Sequence, residues 1–499
     1  MKSSGTTPSE RYLAKLCERT FLSLWAYPNV YRNQGTNNGN GHGKEICDLL
    51  VVFGDDVIIF SDKSCSFKET GTIATDWSRW YRRAIADAEI TVHGAARWIE
   101  NHPDRVFLDR ACKRLLPVPL PPKGLCRMHR VVIALGSREA CRRHFGGGNG
   151  SLCVATSTTK LLNFPNNIRP FVVGHTDASK AYVHIFDDVT LGIVLGELDT
   201  VADFCTYLSR KEQLVSSVTL LQAGGEEEIV ANYLANMNDA GEPNFVLPQV
   251  GYDSVIMAEG CWDDFVHTPK YIAKKRADQE SYLWDELIER FATATLGDVS
   301  SVNPQYITAE RALRTMASLN RVGRRLVSRR LIQLFEMVPE EGRADFKGTL
   351  LYPRPDLGFV FLRLPRWGFS SPSDYLSIRH RLISAYCSAL KLAQPRLSEV
   401  VGVGLAAREV EPDFPDELLH CDVASWTDKE KSQALTACRR EDIFVDVVSR
   451  QISEDVYFGE KKLHRNVADT IATTFQDSLP NRRERRRVAA LSRQQQRHS

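Results

Sequence analysis

The sequence predicts an α/β fold divided into several domains, and three observations carry that reading. Two continuously apolar runs, Leu49–Phe53 and Val57–Phe60, flank Gly54-Asp55-Asp56, the pattern of a hairpin whose strands are buried on both faces. Helical-period apolar stripes lie before and after it and then alternate with short β-branched runs. The chain of 499 residues is also too long for one core.

The elements follow in order. Pro8 starts a helix with Ser9 placed to cap it, and Leu13, Leu16, Cys17, Thr20, Phe21 and Leu24 recur on one face, with Glu18 at its edge. Proline disfavours helix just before it, so Pro28 predicts an end near Tyr27. Residues 33–43 are a Gly/Asn-rich surface loop. Gly41-His42-Gly43-Lys44 is not a phosphate loop, because Glu45 and a strand follow where a hydroxyl residue and a helix are needed; Lys44 could still touch a phosphate. After the hairpin, Asp76 caps a long helix. Its buried stripe is Trp77, Trp80, Tyr81, Ala84, Ile85, Ala88, Val92, Ala95, Ala96 and Ile99, and Arg79, Arg82 and Arg83 lie off it.

The Pro-rich run Leu116–Pro122 marks a boundary or an extended connector. Strands are expected at 130–135, 169–174 and 180–186, with helix caps at Asp187-Asp188 and at Asp199 or Thr200. Glu226, Glu227 and Glu228 complement the dipole of a further helix, which accounts for them without a metal. Residues 268–338 read as helical. They carry Lys270, Lys274, Lys275, Arg276, Arg321, Arg324, Arg325, Arg329 and Arg330, a pattern suited to a nucleic-acid backbone or to a solvated face. Strands at 348–364 and 399–406 enclose a helix over 375–391, and residues 481–499 form a basic tail. The domains are therefore 1–122, reaching to about 215 if the 131–135 strand completes the first sheet, then 123–267, 268–480 and the tail.

Chemistry concentrates at one end of the hairpin. Glu45 and Asp48 open the first strand, and Ser61, Asp62 and Lys63 close the second, so antiparallel pairing brings them together. Carboxylates so placed hold a hard cation, and a lysine beside them orients water or steadies phosphate charge. This arrangement resembles the PD-(D/E)XK, or restriction-endonuclease-like, nuclease superfamily over about the first 115 residues: an acid at the start of one strand, a hairpin, then acid-x-Lys. The wording EICDLLVVFGDDVIIFSDK is also similar to that of uncharacterised bacterial proteins.

The resemblance implies an N-terminal restriction-endonuclease-like domain followed by mixed α/β and helical domains. It implies Mg²⁺- or Mn²⁺-dependent hydrolysis of phosphodiester bonds, in DNA first of all and by analogy in defence against foreign DNA. Asp48 would be the first acid and Lys63 the lysine, with Arg79, Arg82, Arg83 and Lys44 on the nucleic acid. The departure is Ser61 in the slot of the second acid; Asp62 is one residue off and faces away in a regular strand. A bulge would turn Asp62 inward; otherwise Glu45, or an acid on the first helix matched to Glu18, completes the metal site, and Ser61 offers a hydroxyl to a metal-bound water. The alternative is a catalytically inactive fold acting as a nucleic-acid-binding or protein-interaction scaffold.

Composition limits the rest. Apolar content of 43% and charged content of 25% are those of an ordinary soluble chain, and a net charge of +2 excludes a globally basic nucleic-acid binder. No apolar run reaches the roughly eighteen residues a membrane span needs, and the first residues lack a signal-peptide core. The twelve cysteines have no C-x-x-C spacing and read as reduced thiols of a cytoplasmic protein. A homo-oligomer is compatible with all of this.

Overall fold

The computed structural model describes residues 5–34, 42–157, 169–174, 179–248, 253–296, 304–337, 347–364, 369–405, 415–441, 443, 453–455 and 460–462. The expected loop at 33–43 lies partly, and the basic tail wholly, outside them. The chain divides into two compact units, residues 1–329 and 330–499.

The first unit opens with α1 (Pro8–Trp25), β1 (Ala26–Arg32), β2 (Lys44–Phe53) and β3 (Asp56–Ser64). It continues with α2 (Ile73–Tyr81), a π-helical turn (Arg82–Ala86), α3 (Asp87–Asn101) and β4 (Arg127–Leu135). Then come α4 (Arg138–Phe145), β5 (Cys153–Ser157), β6 (Val172–Val173), β7 (Val183–Asp187), α5 (Thr190–Glu197) and α6 (Val201–Ser217). A second α/β run holds β8 (Leu220–Ala223), α7 (Glu226–Ala235) and β9 (Ser254–Met257), followed by α8 (Cys261–Val266), α9 (Pro269–Asp278), α10 (Tyr282–Leu296), α11 (Pro304–Ala317) and the first residues of α12 (Arg321–Met337).

The first sheet has the order β1-β2-β3-β4-β7. β1, β2 and β3 form an antiparallel meander, and β4 and β7 run parallel to β3. Leu49–Val52 and Val57–Phe60 are at most 2% exposed, as two-sided burial requires. Phe21 of α1 and Phe204 of α6 meet Phe60 on one face of β3, while α3 packs across β2, β3 and β4 on the other. β4 and β7 follow the Pro-rich run yet complete this sheet, so residue 122 is a connector and not a domain boundary. The second sheet has the order β6-β5-β8-β9.

Local chemistry explains most element limits. Thr7, not Ser9, caps α1: its hydroxyl accepts from the Glu10 amide, and the Glu10 carboxylate accepts from the cap's own amide. Leu22 leaves helical backbone (φ 62°, ψ 161°), and after Trp25 the chain continues as β1, a strand absent from the sequence reading. Its Pro28 is tolerated because β1 is the sheet's edge. Thr72 caps α2, and the buried Asp76 instead accepts from the Thr70 and Gly71 amides of the preceding turn.

The basic stretch at 268–338 turns inward. Lys274, Arg321, Arg324 and Arg325 are at most 4% exposed. Arg321 binds Asp199 and Asp285, Arg324 binds Asp285, and Lys274 and Arg325 share Asp278. These four charges are matched by acids and are not available to phosphates, whereas Lys270 and Arg276 are exposed. The second unit contains a sheet of β10 (Lys347–Arg354), β11 (Leu357–Arg363), β12 (Glu399–Leu405) and β13 (Glu417–Asp422), with helices α13 (Pro372–Ala393) and α14 (Asp428–Arg440). A Cβ at Gly402 would stand 2.3 Å from Ile383, so α13 packs directly on the backbone of β12. Among the described residues, no helix is long and apolar enough to cross a membrane.

Asp285 is the shared counter-charge of two buried guanidinium groups. Asp285→Ala should cost about 3–5 kcal/mol in urea unfolding, because Arg324 would stay buried without an ion partner. An unchanged unfolding midpoint would contradict this burial.

Candidate active site

The carboxyl end of β3 and the start of β2 meet at one edge of the buried hairpin. Asp48 lies beyond the Leu49–Phe60 pair, so the ladder puts it opposite Ser61. Asp48 Oδ2 accepts from the Ser61 hydroxyl (3.2 Å) and the Asp62 amide (2.6 Å), and Lys63 Nζ stands 3.9 Å away. All three donors reach the same oxygen, leaving Oδ1 without a protein donor among the described residues. Burial raises the Asp48 pKa against the pull of Lys63.

Asp62 is the unusual member. β3 pairs with β4 without interruption from Asp56↔Arg127 to Ser64↔Leu135, so no bulge turns its side chain toward Asp48's face. It shares the face of Phe60, toward α1. It is 8% exposed, and neither carboxylate oxygen has a hydrogen bond of ordinary geometry. Burial pushes its pKa up to about 6; Ser9 of α1 eases the charge, and Asp48 and Glu10 add repulsion.

The bulge lies instead in β2. Val30 pairs with Cys47 but Tyr31 with Glu45, leaving Ile46 as an extra residue that re-aims Glu45. Glu45 Oε1 accepts from Asn29 Nδ2 at 2.8 Å, and the same NH₂ group reaches Glu10 Oε2 at 3.1 Å. Asn29 is buried in left-handed backbone (φ 51°), a conformation asparagine accepts more readily than most residues. Burial raises the Glu45 pKa, with Asp48 and Glu10 adding to it. Burial acts on Glu10 in the same sense, but the bonds from Asn29 and the Thr6 and Thr7 amides outweigh it and hold that carboxyl below its usual range.

Thus Glu45, Asp48, Ser61 and Lys63 lie together at this strand end, while Asp62 joins them only through its backbone amide and keeps its carboxylate on the opposite face, because β3 has no bulge there. Glu18 does not join them. It is exposed, two turns further along α1, and the acid α1 delivers is Glu10. The first-turn position of Glu10 and its spacing to Thr7 explain its cap; its reach to Asn29 depends on β1, which the sequence did not disclose. Lys44, Arg79, Arg82 and Arg83 are all exposed, Arg79 lying 3.8 Å from Asp76.

Asp62's unmatched oxygens and the bare Oδ1 of Asp48 are hard, anionic donors, which suit Mg²⁺ or Mn²⁺. Three ligand atoms do not lie within 4.8 Å of one another among these acids; among the described residues, the groups that meet that spacing are Asp56–His129–Cys205 and His129–His184–Glu212. No family model, curated protein or solved structure matches this chain.

Asp62 makes a signed prediction. A carboxyl whose folded pKa is near 6, against about 3.9 unfolded, binds its proton more tightly in the native state, so stability falls as pH rises between these values. Wild type should lose about 2 kcal/mol through this group from pH 4 to pH 7. Asp62→Asn should remove that loss, read as the difference between the two pH–stability curves from urea unfolding. Parallel curves would contradict it.

Proposed function

We propose that this acidic strand end is the active site of a divalent-cation-dependent hydrolase acting on phosphodiester bonds, in DNA first of all. The observation that carries the reading is the Asp48 carboxylate beside Lys63, all its donors on one oxygen, with the buried Asp62 carboxylate behind it making no hydrogen bond of ordinary geometry. An isolated buried charge is costly, and a bound cation is the group that would balance it.

Asp48 would hold the cation, with Glu45 at the rim; Asp62, on the other face of β3, would add its negative charge to the site from behind. The metal, when bound, supplies Lewis acidity and a more acidic water. The Ser61 hydroxyl and the Asp62 amide fix the Asp48 carboxylate in one orientation. Lys63, a third exposed, is free to swing toward substrate and steady negative charge on the phosphoryl oxygens. Arg82 and Arg83, with Arg79 and Lys44, give exposed positive charge for backbone phosphates.

A second reading, a binding scaffold without chemistry, is favoured by Ser61 in the acid slot and by acids that do not gather three ligand atoms. Cleavage of plasmid DNA, single-stranded DNA and RNA with Mg²⁺ or Mn²⁺ separates the two. On the enzyme reading, Asp48→Ala and Lys63→Ala each lower metal-dependent cleavage at least about 100-fold. No cleavage by wild type, with binding retained, supports the scaffold. Both readings expect Arg82→Ala/Arg83→Ala to weaken DNA binding and to flatten its log–log salt dependence by about 2.

A further inference from the structure

The opposite end of the same strands holds a second cluster. Asp56 opens β3 and Asp62 closes it, and at about 3.3 Å per residue this puts some 20 Å between them. His129 of β4 and His184 of β7 share a sheet face, because Val131 pairs with His184 and residues 129 and 131 alternate to the same side. α6 covers that face. Its Glu212 places Oε1 3.0 Å from His129 Nδ1 and 3.0 Å from His184 Nε2. Three ligand atoms from three separate elements therefore converge within 4.8 Å.

We propose that His129, His184 and Glu212 form a binding site for a divalent transition-metal ion of the Zn²⁺ type. Two imidazole nitrogens and one carboxylate oxygen are the borderline donors such ions prefer over Mg²⁺. The 3.0 Å separations approach the ligand–ligand edges of a small coordination shell with bonds of about 2.0–2.2 Å. A second observation supports it independently. The other nitrogen of His129, Nε2, faces Asp56 Oδ1 at 3.6 Å. Asp56 is itself held by Arg127 through bonds of 2.7 and 2.8 Å. A carboxylate behind a histidine is the arrangement that orients metal-binding imidazoles.

The histidines are at most 2% exposed, whereas the Glu212 side chain is 33% exposed. The site is thus walled by protein on the histidine side and open beside the glutamate, leaving a position for water or a small anionic ligand. The nearest lysine in sequence, Lys211, is engaged by Glu226 and does not occupy the position between the three ligand atoms.

The test uses the untagged 499-residue chain stripped of metal with a chelator. Zn²⁺ is titrated in competition with a chromophoric chelator into wild type, Glu212→Gln, His184→Gln and Asp48→Ala. The expected result is one Zn²⁺ bound by wild type and by Asp48→Ala, with affinity at least about 10-fold lower in the other two. Glu212→Gln is nearly isosteric at a partly exposed position and should retain the fold. The X-ray absorption spectrum of wild type with one equivalent of Zn²⁺ should fit nitrogen and oxygen donors alone. Equal Zn²⁺ affinity in all four proteins, no Zn²⁺ bound by wild type, or sulfur in the coordination shell would overturn the proposal.

Discussion

Helices pack on both faces of Leu49–Phe53 and Val57–Phe60, so a charged group can stand on these strands only where they run out of cover. That constraint gathers the chain's chemistry at strand ends. Glu45, Asp48, Asp62 and Lys63 collect where β3 finishes and β2 begins. His129, His184, Glu212 and Asp56 collect where the parallel strands start. The strand residues between them, Val57–Phe60, are apolar and buried.

Charge balance then separates the clusters in kind. At the starting end every charge has a partner: Arg127 for Asp56, and the two histidines for Glu212. Burial works to raise the Glu212 pKa, yet the hydrogen bonds from His129 and His184 bring it to about 2. At the finishing end one lysine faces four carboxylates, and Asp48, Asp62 and Glu45 are all raised by burial and mutual repulsion. The first end is settled by its own side chains, and the second has an unmet need for positive charge.

Local pattern made much of this legible from the sequence. The hairpin and its turn follow from apolar runs around Gly54-Asp55. The stripe from Trp77 to Ile99 is buried nearly as its spacing dictates, although a π-helical turn interrupts it. Thr200 caps α6 through its hydroxyl. What failed depended on contacts far along the chain. β1 was hidden because Pro28 reads as a helix stop, and only an edge position excuses it in a strand. Glu18 and Glu10 could not be ranked without knowing where α1 crosses the sheet. Arg321, Arg324 and Arg325 look like a solvated basic face until Asp199, Asp285 and Asp278 are brought to them. The histidine cluster draws on four elements with no sequence motif in common.

The central claim is that the finishing end of β3 binds a divalent cation. Anomalous diffraction from a crystal soaked in Mn²⁺ tests it most directly. The account predicts a peak at the Asp48 carboxylate, with Lys63 beside it. A map with no peak there at full Mn²⁺ occupancy elsewhere would contradict it.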